Sequence, residues 1–188
     1  MTTKREQIIE TTCQLMEMQG YHATGLNQIL AESGAPKGSL YHYFPDGKVE
    51  LGLEAIASSS RLIEGRIRAV MREHDDAVTA VTTFISTLAT QIDISGYRAG
   101  GPITAIALEA ASTNDLLRDA CHQAYQSWQD AFSEKLKQGG FSEARSHRLA
   151  TMIIAGLEGG IILCRSQRCP QPLLDLAEEI ETLLLCGR

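Results

Sequence analysis

No C-x-x-C pair occurs among the five cysteines, at 13, 121, 164, 169 and 186, and no histidine completes a zinc spacing with them. The thiols are therefore expected to be reduced, as in a cytosolic protein, and no metal is expected. Equally missing are a phosphate-cradling glycine loop, an H-E-x-x-H and a G-x-S-x-G, so nothing singles out catalytic residues; neither an enzyme nor a cofactor is expected. Strand-like alternation is scarce, which removes the β classes. No terminal segment reads as a secretory signal, and the apolar run around Met152 to Cys164 is interrupted by Glu158 and three glycines. That pattern argues against a membrane span and for a cytoplasmic location.

A basic excess is also lacking. The net charge is −6, yet residues 1–72 are neutral, with eight Lys or Arg against eight Asp or Glu, while residues 73–188 hold nine against fifteen. Diffuse coating of nucleic acid by a basic tail is thereby excluded. A locally basic face on a neutral N-terminal part is compatible with these counts, because acids such as Glu10 and Glu17 can occupy other faces. With 188 residues, 44% of them hydrophobic, the chain can bury a sizeable core in one large or two small domains.

What the chain does hold, from end to end, is helical spacing bounded by helix-end signals, so the expected fold class is all-α. Thr3-Lys4-Arg5-Glu6 reads as a capping box that opens a helix with Ile8, Thr12, Leu15 and Met16 on one face and Gly20 at its end. Thr24 is expected to cap a second helix, whose Leu26, Ile29 and Leu30 fall at i, i+3 and i+4. Gly34 suits the left-handed ending of that helix, and Pro36 suits the first turn of the next. On this third helix Leu40 and Phe44 point inward as i, i+4 neighbours, which leaves Lys37 with Tyr41 and Gly38 with His42 outside.

Two short helices joined by a glycine turn make a helix-turn-helix, and the outer residues of the second suit a DNA duplex. Gly38 and Ser39 let the helix N-terminus approach a groove, and Lys37 and Lys48 supply charge for phosphates or a guanine edge. Tyr41, His42 and Tyr43 add hydrogen bonds and flat apolar faces. Thr24, at the start of the unit, is counted with this DNA-facing set. On spacing alone the same segment also reads as an ordinary surface helix with core aromatics.

Thr24, Gln28-Ile29-Leu30-Ala31, Ser33-Gly34-Ala35, Gly38, Leu40-Tyr41, Tyr43-Phe44, Lys48 and Leu51, preceded by a helix ending in Gly20-Tyr21, resemble the DNA-binding domain of the TetR family of bacterial repressors. Two departures stand out. Ala35 takes a position where that family usually has Val, and Phe44-Pro45-Asp46-Gly47-Lys48 is one residue longer than the usual spacing. The longer segment resembles the LmrA/YxaF-like subgroup, as does Arg98-Ala99-Gly100-Gly101-Pro102-Ile103. The resemblance implies a three-helix DNA-binding domain over residues 1–50 and a helical ligand-binding and dimerisation domain over 51–188, about nine helices in all. It further implies a homodimer on a pseudo-palindromic double-stranded operator, acting most commonly as a repressor.

Beyond the motif, Gly47 to about Glu73 reads as a long linking helix with Leu51, Ala55, Leu62 and Ile63 buried. Asp75 and Asp76 open a helix through Phe84, Leu88 and Ile92 that ends in the glycine-rich loop from Ser95 to Pro102. A short helix runs on to about Ala111, and Asn114 caps a long one to Gln138. In 142–167, Leu149, Ile153, Gly156, Gly160 and Leu163 share a stripe, which Leu173, Leu176, Ile180 and Leu183 repeat after Pro170 and Pro172; small residues at i, i+4 let another helix come close. The stripe reads either as monomer core or as a subunit interface. The interface is preferred, because a helix-turn-helix dimer reads half-sites about 34–36 Å apart, and the resemblance implies that the last two helices pair as a four-helix bundle.

By helix position, the resemblance also places an effector pocket in the middle region. Phe84, Leu88, Ile106, Tyr125, Trp128, Phe132 and Met152 would line it, with Gln91, Glu109 and His122 as polar contacts for a small hydrophobic or aromatic molecule. Each of these also reads as ordinary core. A separate alternative is thiol-based redox or electrophile sensing, since Arg165 and Arg168 stand beside Cys164 and Cys169 and positive neighbours favour thiolate.

Overall fold

The computed structural model describes residues 3–98 and 100–186, with every side chain among them except that of Lys37. Nine helices and no strand occur among the described residues: α1 (Lys4–Gln19), α2 (Leu26–Ser33), α3 (Lys37–Tyr43), α4 (Lys48–Glu73), α5 (Ala77–Ile94), α6 (Pro102–Ala110), α7 (Asp115–Gln138), α8 (Glu143–Gln167) and α9 (Gln171–Cys186). The all-α class expected from spacing is the class observed.

The ends follow from side chains. The Thr3 hydroxyl accepts the Glu6 N–H while the Glu6 carboxylate accepts the Thr3 N–H, the reciprocal capping box. Asp76 accepts the Thr79 N–H at 2.8 Å, Asn114 the Leu117 N–H at 3.1 Å and Ser142 the Arg145 N–H at 3.3 Å. Each satisfies a donor that a helix start leaves open.

The chain divides into two compact units, Met1–Arg61 with Gly101–Ala124, and Leu62–Gly100 with Tyr125–Arg188. In the first, Ile8, Leu15, Ile29, Leu40, Phe44 and Leu51 form one core, against which Cys13, Leu26 and Ala35 pack. Ala35 thus fills the apolar place where the resembled family has Val. In the second, α5 and α8 both pack against α9. At Gly156 and Gly160 an added Cβ would stand 2.7 Å from Leu176 Cδ1 and 2.5 Å from Leu173 Cδ2, so the small residues do admit a neighbouring helix, α9 of the same chain. The buried Lys135 ammonium donates to the carbonyls of His74 and Asp75 just beyond α4.

Two expectations need correction. On α4, Leu62 is 57% exposed, while Ile67 and Met71 are buried with Leu51 and Ala55. The row advances by four residues through buried 51, 55 and 59, half-buried Ile63, and buried 67 and 71, and Leu62 sits one residue, about 100°, off it. α8 runs unbroken through Glu158 and its glycines, and it and α5 have the length and composition of a membrane span. Both bury a face within the second unit instead, as core helices of a globular protein do.

Candidate nucleic-acid interface

α2 ends at Gly34, whose φ of 62° is the left-handed ending, and α3 begins after Pro36. Within the seven residues of α3 and its cap the division is sharp. Leu40 and Phe44 are fully buried, whereas Tyr41 is 62% and Tyr43 37% exposed, with Gly38 and His42 also exposed and Ser39 half-buried. The His42 and Tyr43 rings meet edge to face at 5.0 Å, and Tyr43 meets Phe44 at 6.4 Å, so core and outer face are joined through aromatic contacts. Arg5 of α1 stacks its guanidinium 5.3 Å from the Phe44 ring centroid and pairs with Glu54 of α4. The one-residue extension is a turn: the Gly47 N–H returns to Phe44 O at 3.0 Å and Gly47 takes φ 64°. The side chain of Lys37 lies outside the described residues, as does Ala99 of the glycine-rich segment.

Thr24 does not cap α2. Gly25 is the cap residue, without a side-chain bond, and Thr24 is fully buried, donating its hydroxyl to Gly20 O at 2.7 Å. Its side chain holds the α1–α2 turn closed from within instead of facing a duplex. Lys48 is half-buried, donates to His22 O at 3.0 Å and stands 4.8 Å over the Tyr21 ring. Burial lowers its pKa, and the Glu109 charge opposes that fall.

Glu109, expected in an effector pocket, belongs to this turn. Its Oε2 accepts the His22 N–H at 2.7 Å, and its backbone oxygen lies 3.0 Å from His22 Nε2. Gly20, at φ 87°, leaves room for the carboxylate: a Cβ there would be 2.1 Å from Glu109 Oε1. At the other end of α6, Glu17 of α1 accepts the Gly101 N–H at 2.8 Å. α6 is thus tied at both ends to α1 and the turn that follows it. Sequence reading missed Glu17 and His22 because the pairs they form span 84 and 87 residues; no local pattern reports such a contact.

The ten effector candidates are divided between the two units. Ile106, Glu109 and His122 fall in the first unit, and the other seven in the second. There, Phe84 and Phe132 meet edge to face at 5.4 Å, as do Tyr125 and Trp128 at 5.2 Å. Leu88 is half-buried, Gln91 is exposed and accepts from Arg66, and Met152 is 44% exposed. Ile106 and Phe132 are fully buried core residues, and His122 faces solvent.

The interface stripe is corrected too. Leu149, Ile153, Gly160, Leu173 and Ile180 are buried within the single chain, where α8 meets α9 and α5. Gly156, Leu176 and Leu183 are half-buried, and only Leu163 of the nine is exposed. The outer face of α8 instead presents Met152, Ala155, Gly159, Ile162 and Leu163, at spacings of three, four, three and one.

A three-helix core that holds the outer residues of a short second helix clear of itself, within an all-helical chain, defines a helix-turn-helix transcriptional regulator. Residues 8–56 match the family model described as bacterial regulatory proteins, tetR family, and residues 77–179 match that of the transcriptional regulator LmrA/YxaF-like C-terminal domain. The chain belongs to the TetR family of regulators, with a C-terminal domain of the LmrA/YxaF-like kind. It is 43% identical over 180 residues to the uncharacterized HTH-type transcriptional regulator YxaF of Bacillus subtilis, covering 96% of this chain and 94% of that one. To the HTH-type transcriptional regulator LmrA of the same organism it is 39% identical, covering 96% of each. Its fold is similar to the crystal structure of a TetR transcriptional regulator from Legionella pneumophila, with a TM-score of 0.86 at 19% identity over 97% of both chains.

Proposed function

We propose that this regulator is a cytoplasmic, ligand-released repressor that binds a pseudo-palindromic operator as a homodimer. Residues 1–50 form the DNA-binding domain in this reading, and residues 51–188 serve effector binding and dimerisation. The observation that carries it is the split face of α3: Leu40 and Phe44 anchor the helix in the core while Gly38, Tyr41, His42 and Tyr43 face outward. With Lys37 and Ser39 these residues enter the major groove. Lys48, which gives one of its three ammonium donors to His22 O, directs the others to a phosphate. Tyr41→Ala and Lys37→Ala should each weaken operator binding roughly tenfold or more, about 1–3 kcal/mol for a specific contact, with the oligomeric state unchanged. Mobility-shift titrations at two salt concentrations read this, and unchanged affinity in both variants would remove them from the interface.

The dimer forms through the outer face of α8, where Met152, Ala155, Gly159, Ile162 and Leu163 leave apolar surface uncovered, and through neighbouring parts of α9. Two such chains bring two recognition helices to half-sites about 34–36 Å apart. The effector is a small hydrophobic or aromatic molecule held beside the Tyr125–Trp128 and Phe84–Phe132 pairs, with Leu88 and Gln91 nearby. Its binding shifts α4 and changes the spacing of the recognition helices, so that both no longer fit their half-sites. A coupling of about 1–3 kcal/mol weakens operator affinity roughly 5- to 150-fold. Quenching of Trp128, the single tryptophan, reports binding from a panel of aromatic compounds. If a compound that saturates this quenching left operator affinity unchanged, the release mechanism would be wrong.

A further inference from the structure

The elbow between α8 and α9 carries two thiols for which DNA binding has no use. Arg168 leaves α8 in the left-handed conformation, at φ 49°. The Cys169 N–H then returns to Cys164 O at 3.2 Å. This is the six-to-one bond of a Schellman ending, which folds the second residue past the helix back over the residue one turn before its end. Here those two residues are both cysteines. Their backbones touch, and a Schellman ending commonly brings the side chains of these two positions together, as a disulfide with Cα atoms about 4.4–6.8 Å and Cβ atoms about 3.5–4.5 Å apart requires.

The surroundings fit a pair with separate tasks. Cys164 is fully buried, and in the first turn of α9 the Leu173 N–H donates to Pro170 O at 3.1 Å. Cys169 is half-buried, within reach of a small solute, and Arg165 and Arg168 beside the pair are exposed. The sequence-based expectation of an activated thiolate at Cys164 does not hold: burial pushes that thiol up, and the neighbouring Cys169 adds to the rise. The Tyr97 hydroxyl, in the turn after α5, donates to Asp93, and that bond pushes it up to about 12.

We propose that Cys169 and Cys164 are a hydroperoxide-oxidised pair that closes an intrachain disulfide across this elbow. The accessible Cys169 sulfur attacks the peroxide, the O–O bond breaks, and a sulfenic acid and an alcohol, or water, result. The Cys164 sulfur then attacks the sulfenic sulfur. The S–O bond breaks, the S–S bond forms, and the hydroxyl leaves as water with the Cys164 proton. Two electrons pass from the two sulfurs to the peroxide. The new S–S bond fixes the turn two residues before α9 begins, so oxidation is felt at the start of that helix. This site is independent of the effector reading and stands or falls without it.

Trypsin cuts after Arg165 and after Arg168, so it separates the two cysteines into different peptides. The full chain carrying Cys186→Ser, fully reduced, is treated with hydrogen peroxide or cumene hydroperoxide, then alkylated, digested and weighed. The expected product is peptide 149–165 joined to the peptide beginning at 169, a loss of 2 Da in the intact chain, and reversal by dithiothreitol. With Cys164→Ala added, Cys169 should be trapped by dimedone instead. Oxidation of Cys169 to sulfinic acid while Cys164 remains alkylatable would overturn the proposal, and so would the absence of any linked peptide at millimolar peroxide.

Discussion

Gly20 is held by two separate demands. Its φ of 87° lies in the left-handed half of backbone space, and its missing Cβ makes room for Glu109 Oε1 at 2.1 Å from where that atom would be. Gly34, at φ 62°, meets only the first demand, since nothing lies within 4 Å of its Cβ position. Gly34→Ala should therefore cost about 1–2 kcal/mol, an order set by the backbone alone, and Gly20→Ala distinctly more. Combining Gly20→Ala with Glu109→Ala should recover part of that excess, a coupling that urea unfolding of the four proteins can read. Equal costs at both glycines, or strict additivity, would mean the carboxylate contact carries little. Thiol chemistry offers a second check. The Cys121 thiol is buried and pushed up to about 11 by that burial, so on the order of one in a thousand is ionised at pH 8. Iodoacetamide should label the exposed Cys186 well before it. At this scale Gly20 and Gly34 were legible as helix ends. Their difference was not, because it depends on a side chain 89 positions along the chain.

Among the elements, α8 shows what periodicity can and cannot say. A stripe of Leu149, Ile153, Gly156 and Gly160 marks a face against which another helix packs closely, and that much was readable from i, i+4 spacing. Which helix arrives is a tertiary fact. It is α9, whose Leu173 and Leu176 fill the space at the two glycines. The two neighbouring glycines therefore make a paired test of the proposed dimer. Gly160→Ala puts a methyl into Leu173 and should destabilise the fold by about 1–3 kcal/mol. Gly159, with nothing within 4 Å of its Cβ position, should accept Arg with a native circular dichroism spectrum and melting temperature while the protein falls to a monomer in sedimentation. A stable dimer of Gly159→Arg would move the interface off this face. The capping box at Thr3, the caps Asp76, Asn114 and Ser142 and the turn glycines were legible, Thr24 excepted, because each acts within three or four residues.

For the whole molecule, charge and topology set the terms of DNA binding. The total of −6 is unfavourable to a polyanion, so affinity must come from a few placed contacts and not from a general field. If Lys48 meets a phosphate, Lys48→Gln should reduce the slope of log affinity against log salt by about 0.9 per half-site, and an unchanged slope would exclude that contact. The helix-turn-helix could be read from 25 residues, and the fold class from helical spacing throughout. The membership of α6 could not, because residues 101–124 lie far along the chain yet belong to the same compact unit as residues 1–61. Glu17 and Glu109 fasten that helix at its two ends. The DNA-reading part should consequently not behave as a detachable cassette. Chimeras that exchange only the first 60 residues between relatives would pair each reader with a foreign α6, and should bind operator well only when residues 101–124 travel with it.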